Sequence, residues 1–324
     1  MRPYQHRGIQ VIALSGALLV ALVNACSSNG ARECRVGADC ASGACGADGQ
    51  CVIGTTPGPD GGQGGNDAMS SQDATSNDAN TDSSLPGCTP NKDGTITREE
   101  VPIAAGLHAT YRVGTNENVS TAGTPAAGGK RVWDFSTSLA SDVSVLVETQ
   151  ALTGKWYAAK YPGATYASKL SQSSDLLGVF ETSPGALLLR GVVSPAEGTS
   201  STQLSYAPSV SILKFPLMMG ATWTTDATAS GTAMGVDVAL APTTESYVSK
   251  VDAAGQLKTP LGTFDVLRIA VVLTRKVGFV PVTTIVRTFA FVTECYGTVA
   301  TVTSTDNESN AEFTSAAEIR RISP

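Results

Sequence analysis

Asp265-Val266-Leu267-Arg268-Ile269-Ala270-Val271-Val272-Leu273-Thr274-Arg275 decides the fold. Leu267, Ile269, Val271 and Leu273 recur at every second position, and Arg268 and Thr274 fall on the other side. A strand turns successive side chains to opposite faces, so this period builds a sheet. The same texture extends outward in both directions. Upstream, β-prone runs cover 109–113, 131–135, 143–148, 155–161, 176–181 and 186–193, followed by 209–215, 222–226, 229–240 and 245–252. Downstream, 283–295 and 298–304 flank Tyr296-Gly297, a predicted hairpin turn, and 316–322 either closes the sheet or forms a short terminal helix. Gly, Ser, Asn and Pro punctuate these runs, and no helical period separates them. The expected fold of residues 88–324 is therefore all-β, an antiparallel β-sandwich or a half-open β-barrel.

Composition narrows the function. The chain has 324 residues, a net charge of −6 and only 15% charged residues, so nothing electrostatic favours nucleic acid. Beyond the leader the only histidine is His108, in a predicted edge strand, which excludes a His-rich zinc site and argues against a hydrolytic triad. Gly198-Thr199-Ser200-Ser201-Thr202 lacks the closing glycine of a nucleophile elbow. Asp134, Glu148, Asp175 and Glu181 are candidate paired carboxylates by residue type alone.

The N-terminus reads as an address. Basic Met1 to Arg7 precedes an apolar run over 11–23 that is too short to span a bilayer comfortably, so residues 1–25 are expected to be a signal peptide. Leu22-Val23-Asn24-Ala25-Cys26 resembles a bacterial lipobox, with Asn24 the departure from its pattern. That resemblance implies cleavage before Cys26, acylation of its thiol and a membrane as partner through the lipid anchor. Ser27 and Ser28, with no adjacent Asp, favour the outer membrane or cell surface. Val23-Asn24-Ala25 also satisfies an ordinary signal-peptidase site, which would leave no lipid.

Residues 26–33 form a spacer, and 34–51 hold Cys34, Cys40, Cys45 and Cys51 with almost no apolar neighbours. Two disulfides would order such a stretch in an oxidising compartment, with all three pairings open. The alternative, a zinc knuckle, prefers closer cysteine pairs and a reducing compartment. The stretch resembles the small Cys-rich modules near the N-termini of myxobacterial surface lipoproteins, which implies a spacer or contact module. Residues 52–87 are rich in Gly, Ser, Asp and Asn and are expected to be a disordered linker reaching about 30–35 Å.

Residues 89–100 resemble an EF-hand calcium loop, with Asn91, Asp93, Thr95 and Glu100 as candidate Ca2+ ligands around Gly94. Thr89 replaces the first carboxylate of that pattern. The competing reading is an Asp-Gly turn followed by a capping box from Thr97 to Glu100. Cys88 and Cys295 remain as a candidate bridge, the alternative being two free thiols.

A second resemblance joins Trp133-Asp134-Phe135-Ser136, Phe215-Pro216-Leu217 with Gly220 and Thr222-Trp223, Thr259-Pro260-Leu261-Gly262 with Leu267-Arg268, and Gly297-Thr298-Val299. These are similar to motifs of a loose family of exported bacterial β-domains, which implies an all-β lipoprotein domain and no activity. Trp133, Trp156, Tyr157, Tyr161 and Tyr166 either pack a sheet face or line a ligand groove. The expected role is a lipid-anchored cell-envelope protein that binds, supports or contacts another surface, without catalytic residues and with no cofactor beyond Ca2+. The alternatives are a carrier of an apolar ligand inside a half-barrel and a carboxylate-based glycan-active enzyme.

Overall fold

A computed structural model describes residues 88–324. The expected signal peptide, the spacer with Cys26, the module with Cys34, Cys40, Cys45 and Cys51, and the linker over 52–87 lie outside the described residues.

The strands are β1 (Thr95–Ile96), β2 (His108–Asn118), β3 (Thr124–Pro125), β4 (Arg131–Asp134), β5 (Val143–Glu148), β6 (Gln150–Ala151), β7 (Tyr166–Lys169), β8 (Leu177–Ser183) and β9 (Ala186–Val193). They continue as β10 (Gln203–Lys214), β11 (Leu217–Met218), β12 (Thr222–Ala233), β13 (Val236–Asp237), β14 (Thr243–Lys258), β15 (Thr263–Val277), β16 (Val282–Thr293), β17 (Gly297–Ser304) and β18 (Ser315–Ile322). The main path runs β5-β2-β18-β17-β16-β15-β14-β12-β10-β9-β8-β7-β6, antiparallel at every step. This sheet curls into a nearly closed barrel. Its two terminal strands, β5 and β6, are separated in the chain by Thr149 alone.

Thr149 holds that junction. Its N–H donates to the Leu107 carbonyl at 2.9 Å, and its carbonyl accepts from Gly106 N–H at 2.6 Å. Its hydroxyl accepts from Leu107 N–H at 2.9 Å and donates to the Ala104 carbonyl at 2.7 Å. The chain thus leaves one edge of the sheet and enters the other with its polar groups satisfied, as a buried backbone requires.

Both faces of the sheet are apolar. On β15, Leu267 and Ile269 point into the lumen, where they meet Leu187, Leu213, Trp223, Val251 and Val292. Val266 points outward and packs with Trp133, Phe289, Phe291, Val302, Phe313 and Ile319. The outer face is covered by an irregular strap over residues 119–142, whose β4 adds to β14 in parallel. Trp133 meets Phe291 edge-on at 5.1 Å, and its indole N–H donates to the Thr121 carbonyl at 2.8 Å. A second irregular stretch covers β7, β8 and β9, burying Tyr157 and Tyr161 against Ala167, Val179 and Val193. Gly191 lies beneath Tyr161, where a Cβ would come within 2.5 Å of its ring.

Three local expectations change, and one open alternative is decided. His108 is not at an edge, because β2 pairs with both β5 and β18, and β5 is the edge. Residues 155–161 are not a strand, since turns and a short 3-10 segment, Ala158–Lys160, let their aromatic rings reach the core. The run 229–240 breaks at Met234-Gly235, both at positive φ, into a tight turn. The run 316–322 is a strand, paired with β17 and β2.

Cys88 and Cys295 are bridged, with Cα atoms 5.5 Å apart and a sequence separation of 207. Beside the bridge, Lys92 N–H donates to both carboxylate oxygens of buried Glu294 at 3.1 Å. Replacing both cysteines by serine should therefore lower stability by up to about 5 kcal/mol, the chain-entropy value for so long a loop. Urea denaturation of the oxidised protein and the double variant measures this. Equal midpoints would show that the non-covalent contacts, among them Lys92 with Glu294 and β1 with β11, hold the N-terminal segment without the bridge.

Candidate functional site

The lumen contains a cavity of about 530 Å3, lined by side chains from almost every strand of the circuit. Its lining follows from the period of two. On β15 the cavity sees Ile269 and Val271, on β16 Thr288 and Ala290, and on β17 Thr301 and Thr303. The opposite wall is more apolar, with Tyr166, Phe180, Leu187, Leu189, Ile212 and Leu213. Hydroxyls of Ser168, Ser211 and Ser249 are interspersed.

One end is closed by the segment after β1. Val101, Pro102 and Ile103 form part of the lining, with Val101 and Ile103 buried. Arg98 fixes this segment by donating to the carbonyls of Val101 at 3.2 Å and Ile103 at 3.1 Å. Cys295 N–H donates to the Glu100 carbonyl at 2.7 Å, which ties the same segment to the β16–β17 turn. The lining reaches solvent at His108 and Leu170, both exposed.

Charged groups stand at the cavity's margins. Arg320 donates to Glu318 at 2.6 Å and to the Leu170 carbonyl at 2.6 Å, and Glu318 accepts from Gln172 N–H at 2.7 Å. These contacts link β18 to the loop after β7. Deeper in the lumen, Glu245 is buried and accepts from Arg275 at 2.6 Å and from the Tyr247 hydroxyl at 2.5 Å. Burial opposes the Arg275 charge, but the Glu245 carboxylate outweighs it and raises its pKa. Burial also raises Tyr247 well above its ordinary value, with Tyr206 and Glu245 adding to the effect.

The sequence-derived candidates separate. Cys26, Cys34, Cys40, Cys45 and Cys51 lie outside the described residues, and Cys88 and Cys295 form a bridge. Of the five aromatic candidates, Tyr166 lines the cavity, Trp133 packs under the strap, and Trp156, Tyr157 and Tyr161 form a separate outer cluster. The four acids have separate surroundings. Asp134 is 3.4 Å from Lys258, Asp175 is 3.5 Å from Lys169, Glu181 pairs with Arg190, and Glu148 stands opposite His108 in register.

In the candidate calcium loop, Asn91 and Glu100 do meet, with the Asn91 amide donating to Glu100 Oε1 at 2.7 Å. Asp93 Oδ1 accepts from Thr95 N–H at 2.7 Å, and Asn91 Oδ1 accepts from Asp93 N–H at 2.9 Å. Glu100 Oε2 accepts from both the N–H and the hydroxyl of Thr97, at 2.8 and 3.0 Å. These bonds make up an Asx-type turn and a local cap. Among the described residues, no group of three or more His, Cys, Asp or Glu side chains is placed to hold a metal.

Sequence reasoning missed a buried arginine pair on the outer face. Arg268 is 2% exposed, and it donates to both oxygens of Asp252 at 2.9 and 2.8 Å. It also donates to both oxygens of Glu312 at 3.0 and 2.7 Å and to the Thr121 carbonyl at 2.6 Å. Asp252 is the extra residue of a bulge between Val251 and Ala253, which turns its carboxylate toward Arg268. The guanidinium lies 4.1 Å from the Phe289 ring centroid and 5.5 Å from that of Trp133. Burial works against this charge, but Glu312 and Asp252 outweigh it and raise its pKa. Arg321 is fully buried and donates to the Thr137 carbonyl at 2.7 Å and the Phe135 carbonyl at 3.3 Å, and it pairs with Asp142. One legible signal was a single arginine inside an otherwise apolar strand run.

Compared with protein-family models, with curated proteins and with solved structures, the chain matches none.

Two outcomes follow from this electrostatics. Arg268→Met leaves the Asp252 and Glu312 carboxylates without their cation and removes one of two donors to the Thr121 carbonyl, and should cost roughly 2–3 kcal/mol in urea denaturation. Lys258→Met breaks an exposed pair and should cost less than about 1 kcal/mol. Equal costs would mean that Arg268 does not hold the strap. The second outcome concerns pH. Burial pushes the phenols of Tyr111 and Tyr161 up to about 12. Between the ordinary tyrosine value near 10 and about 12, the unfolded chain loses protons that the folded chain keeps. This stabilisation is fully present below pH 10 and falls as pH rises toward 12. A urea midpoint that stays level through about pH 11.5 would contradict it.

Proposed function

We propose that this chain binds an apolar ligand in the lumen of its barrel, as a carrier or receptor held at the cell envelope by an acylated Cys26. The observation that carries the reading is the cavity of about 530 Å3. This volume falls within the roughly 300–1,000 Å3 usual for small-molecule sites. Its walls are mostly apolar, with hydroxyl residues such as Ser168, Ser211, Ser249, Thr288 and Thr301 interspersed, the pattern that holds an apolar body and orients a small polar end. An apolar lumen is the environment that a water-insoluble molecule requires while crossing an aqueous compartment.

Binding is favoured over catalysis by the separate neutralisation of the candidate acids and by the apolar character of the lining. The predicted leader and lipobox supply the address, and the linker over 52–87 gives the domain reach away from the membrane. A calcium ion in the loop of Asn91, Asp93, Thr95 and Glu100 is not needed for this reading, because the loop lies at the capped end.

The test uses the full chain and the neutral fluorophore N-phenyl-1-naphthylamine. Ala290→Trp and Val271→Phe place bulk in the lumen and should each weaken fluorophore binding at least about tenfold. Lys214→Trp, at an exposed position, should leave it unchanged. Circular dichroism identifies any variant that fails to fold. Undiminished binding in both folded lumen variants would place the fluorophore elsewhere and end the carrier reading.

A further inference from the structure

The end of the barrel opposite the disulfide carries a second, unexplained apolar feature. Phe279 and Val280 sit at the tip of the β15–β16 hairpin, 79% and 89% exposed. Leu240, 72% exposed, sits on the neighbouring β13–β14 connection, and Met234 and Val236, 54% and 57% exposed, lie on the β12–β13 turn and on β13. The two tips adjoin, because Gly278 N–H donates to the Pro242 carbonyl at 2.9 Å and Val277 pairs with Thr243. Exposed single apolar residues are ordinary, but Phe279, Val280 and Leu240 on two touching tips form a patch.

We propose that these tips insert into the acyl layer of a lipid bilayer. Two observations select this occupant. A stable protein interface engages about 20–30 residues on each side, and the tips supply far fewer, which argues against a second copy of this chain. The hairpin tip Gly278-Phe279-Val280-Pro281 carries no charge, and the Asp237 carboxylate on the neighbouring connection is engaged by Ala239 N–H at 2.8 Å. A protruding uncharged tip suits a fluid apolar phase, which needs no matching groove.

The chain outside the structure brings that phase within reach. The candidate acylation site Cys26 lies some sixty residues before Cys88. Cys88 is fixed to Cys295 at the far end of β16, whose length is about 40 Å at the usual strand rise. The linker over 52–87 has a coil reach of similar size, about 30–35 Å by composition. An anchored domain can therefore turn its tips to the same bilayer that holds its lipid.

The test is a full-length chain with Cys26→Ser, which removes the lipid, mixed with vesicles of phosphatidylcholine alone. In this background Phe279→Trp should shift its fluorescence to the blue when vesicles are added, beyond any change in the chain without the added tryptophan, because Trp133 and Trp223 are already buried and Trp156 is half-buried in the outer cluster. Co-sedimentation with vesicles should fall at least fivefold in the Phe279→Ser, Val280→Ser variant, whose changes lie on exposed positions. No blue shift and equal co-sedimentation would overturn the proposal. A concentration-dependent dimer abolished by the same double variant would also overturn it, in favour of self-association. The lumen variant Ala290→Trp should keep its vesicle binding, so failure here is distinct from failure of the carrier reading.

Discussion

The constraint on which the structure depends is closure of the sheet. An open sheet leaves a row of unpaired backbone groups at each edge, exposed to water and to other chains. Here the two edges belong to β5 and β6, which are consecutive in the chain and joined through Thr149. The hydrogen bonds of Thr149 with Ala104, Gly106 and Leu107 hold the junction where a flat sheet would end. Closure in turn creates an inside, and without it the cavity between Tyr166 and Thr301 would be a solvated surface.

A barrel of this kind has to satisfy two apolar faces with one sheet. The inner face is partly filled by the segment of Val101 and Ile103, and what remains is the cavity. The outer face is covered by the strap over 119–142, an irregular piece of chain with few backbone bonds of its own to the sheet. Arg268 and Arg321 provide those bonds from below, reaching the carbonyls of Thr121, Phe135 and Thr137. Arginine suits this position, since its fork bonds carbonyls and carboxylates at once while its plane lies over Phe289. The bulge at Asp252 supplies the matching negative charge without disturbing the pairing on either side.

The architecture was largely legible in the sequence, and the site was not. The alternation of Leu267, Ile269, Val271 and Leu273 identified a sheet face, and the turn at Tyr296-Gly297 and the bridge of Cys88 to Cys295 lie where the sequence places them. Period alone cannot say which face is inside when both are covered. The period put Arg268 on the face opposite Leu267 and could not show that this face is covered too, with Arg268 buried beneath Trp133. The same ambiguity hid the cavity, whose lining residues are scattered from Val101 to Arg320 and share no local motif. Trp156, Tyr157 and Tyr161 pack a sheet face, one of the two roles their ring size allows, but from a turn and a short 3-10 segment where the sequence suggested a strand. In the loop from Asn91 to Glu100, one spacing serves both a metal site and a capped turn, and the bonds to Thr95 and Thr97 follow the turn.

The pairing of β2 with β18 bears on how the chain reaches this state. Tyr111 stands opposite Ile322, so a strand from the start of the domain finds its second neighbour only in the last strand described. The meander from β14 to β18 consists of hairpins that form locally and fast, whereas this contact spans some two hundred residues and forms late. A chain emerging N-terminus first presents β2 long before β18 exists to pair with it. During that interval β2 and β5 form an unprotected two-stranded ribbon with an apolar face, a species prone to join the wrong partner. The strand order thus sets a demand on folding that is separate from final stability, since β2 and β5 have to stay out of wrong pairings until β18 is made.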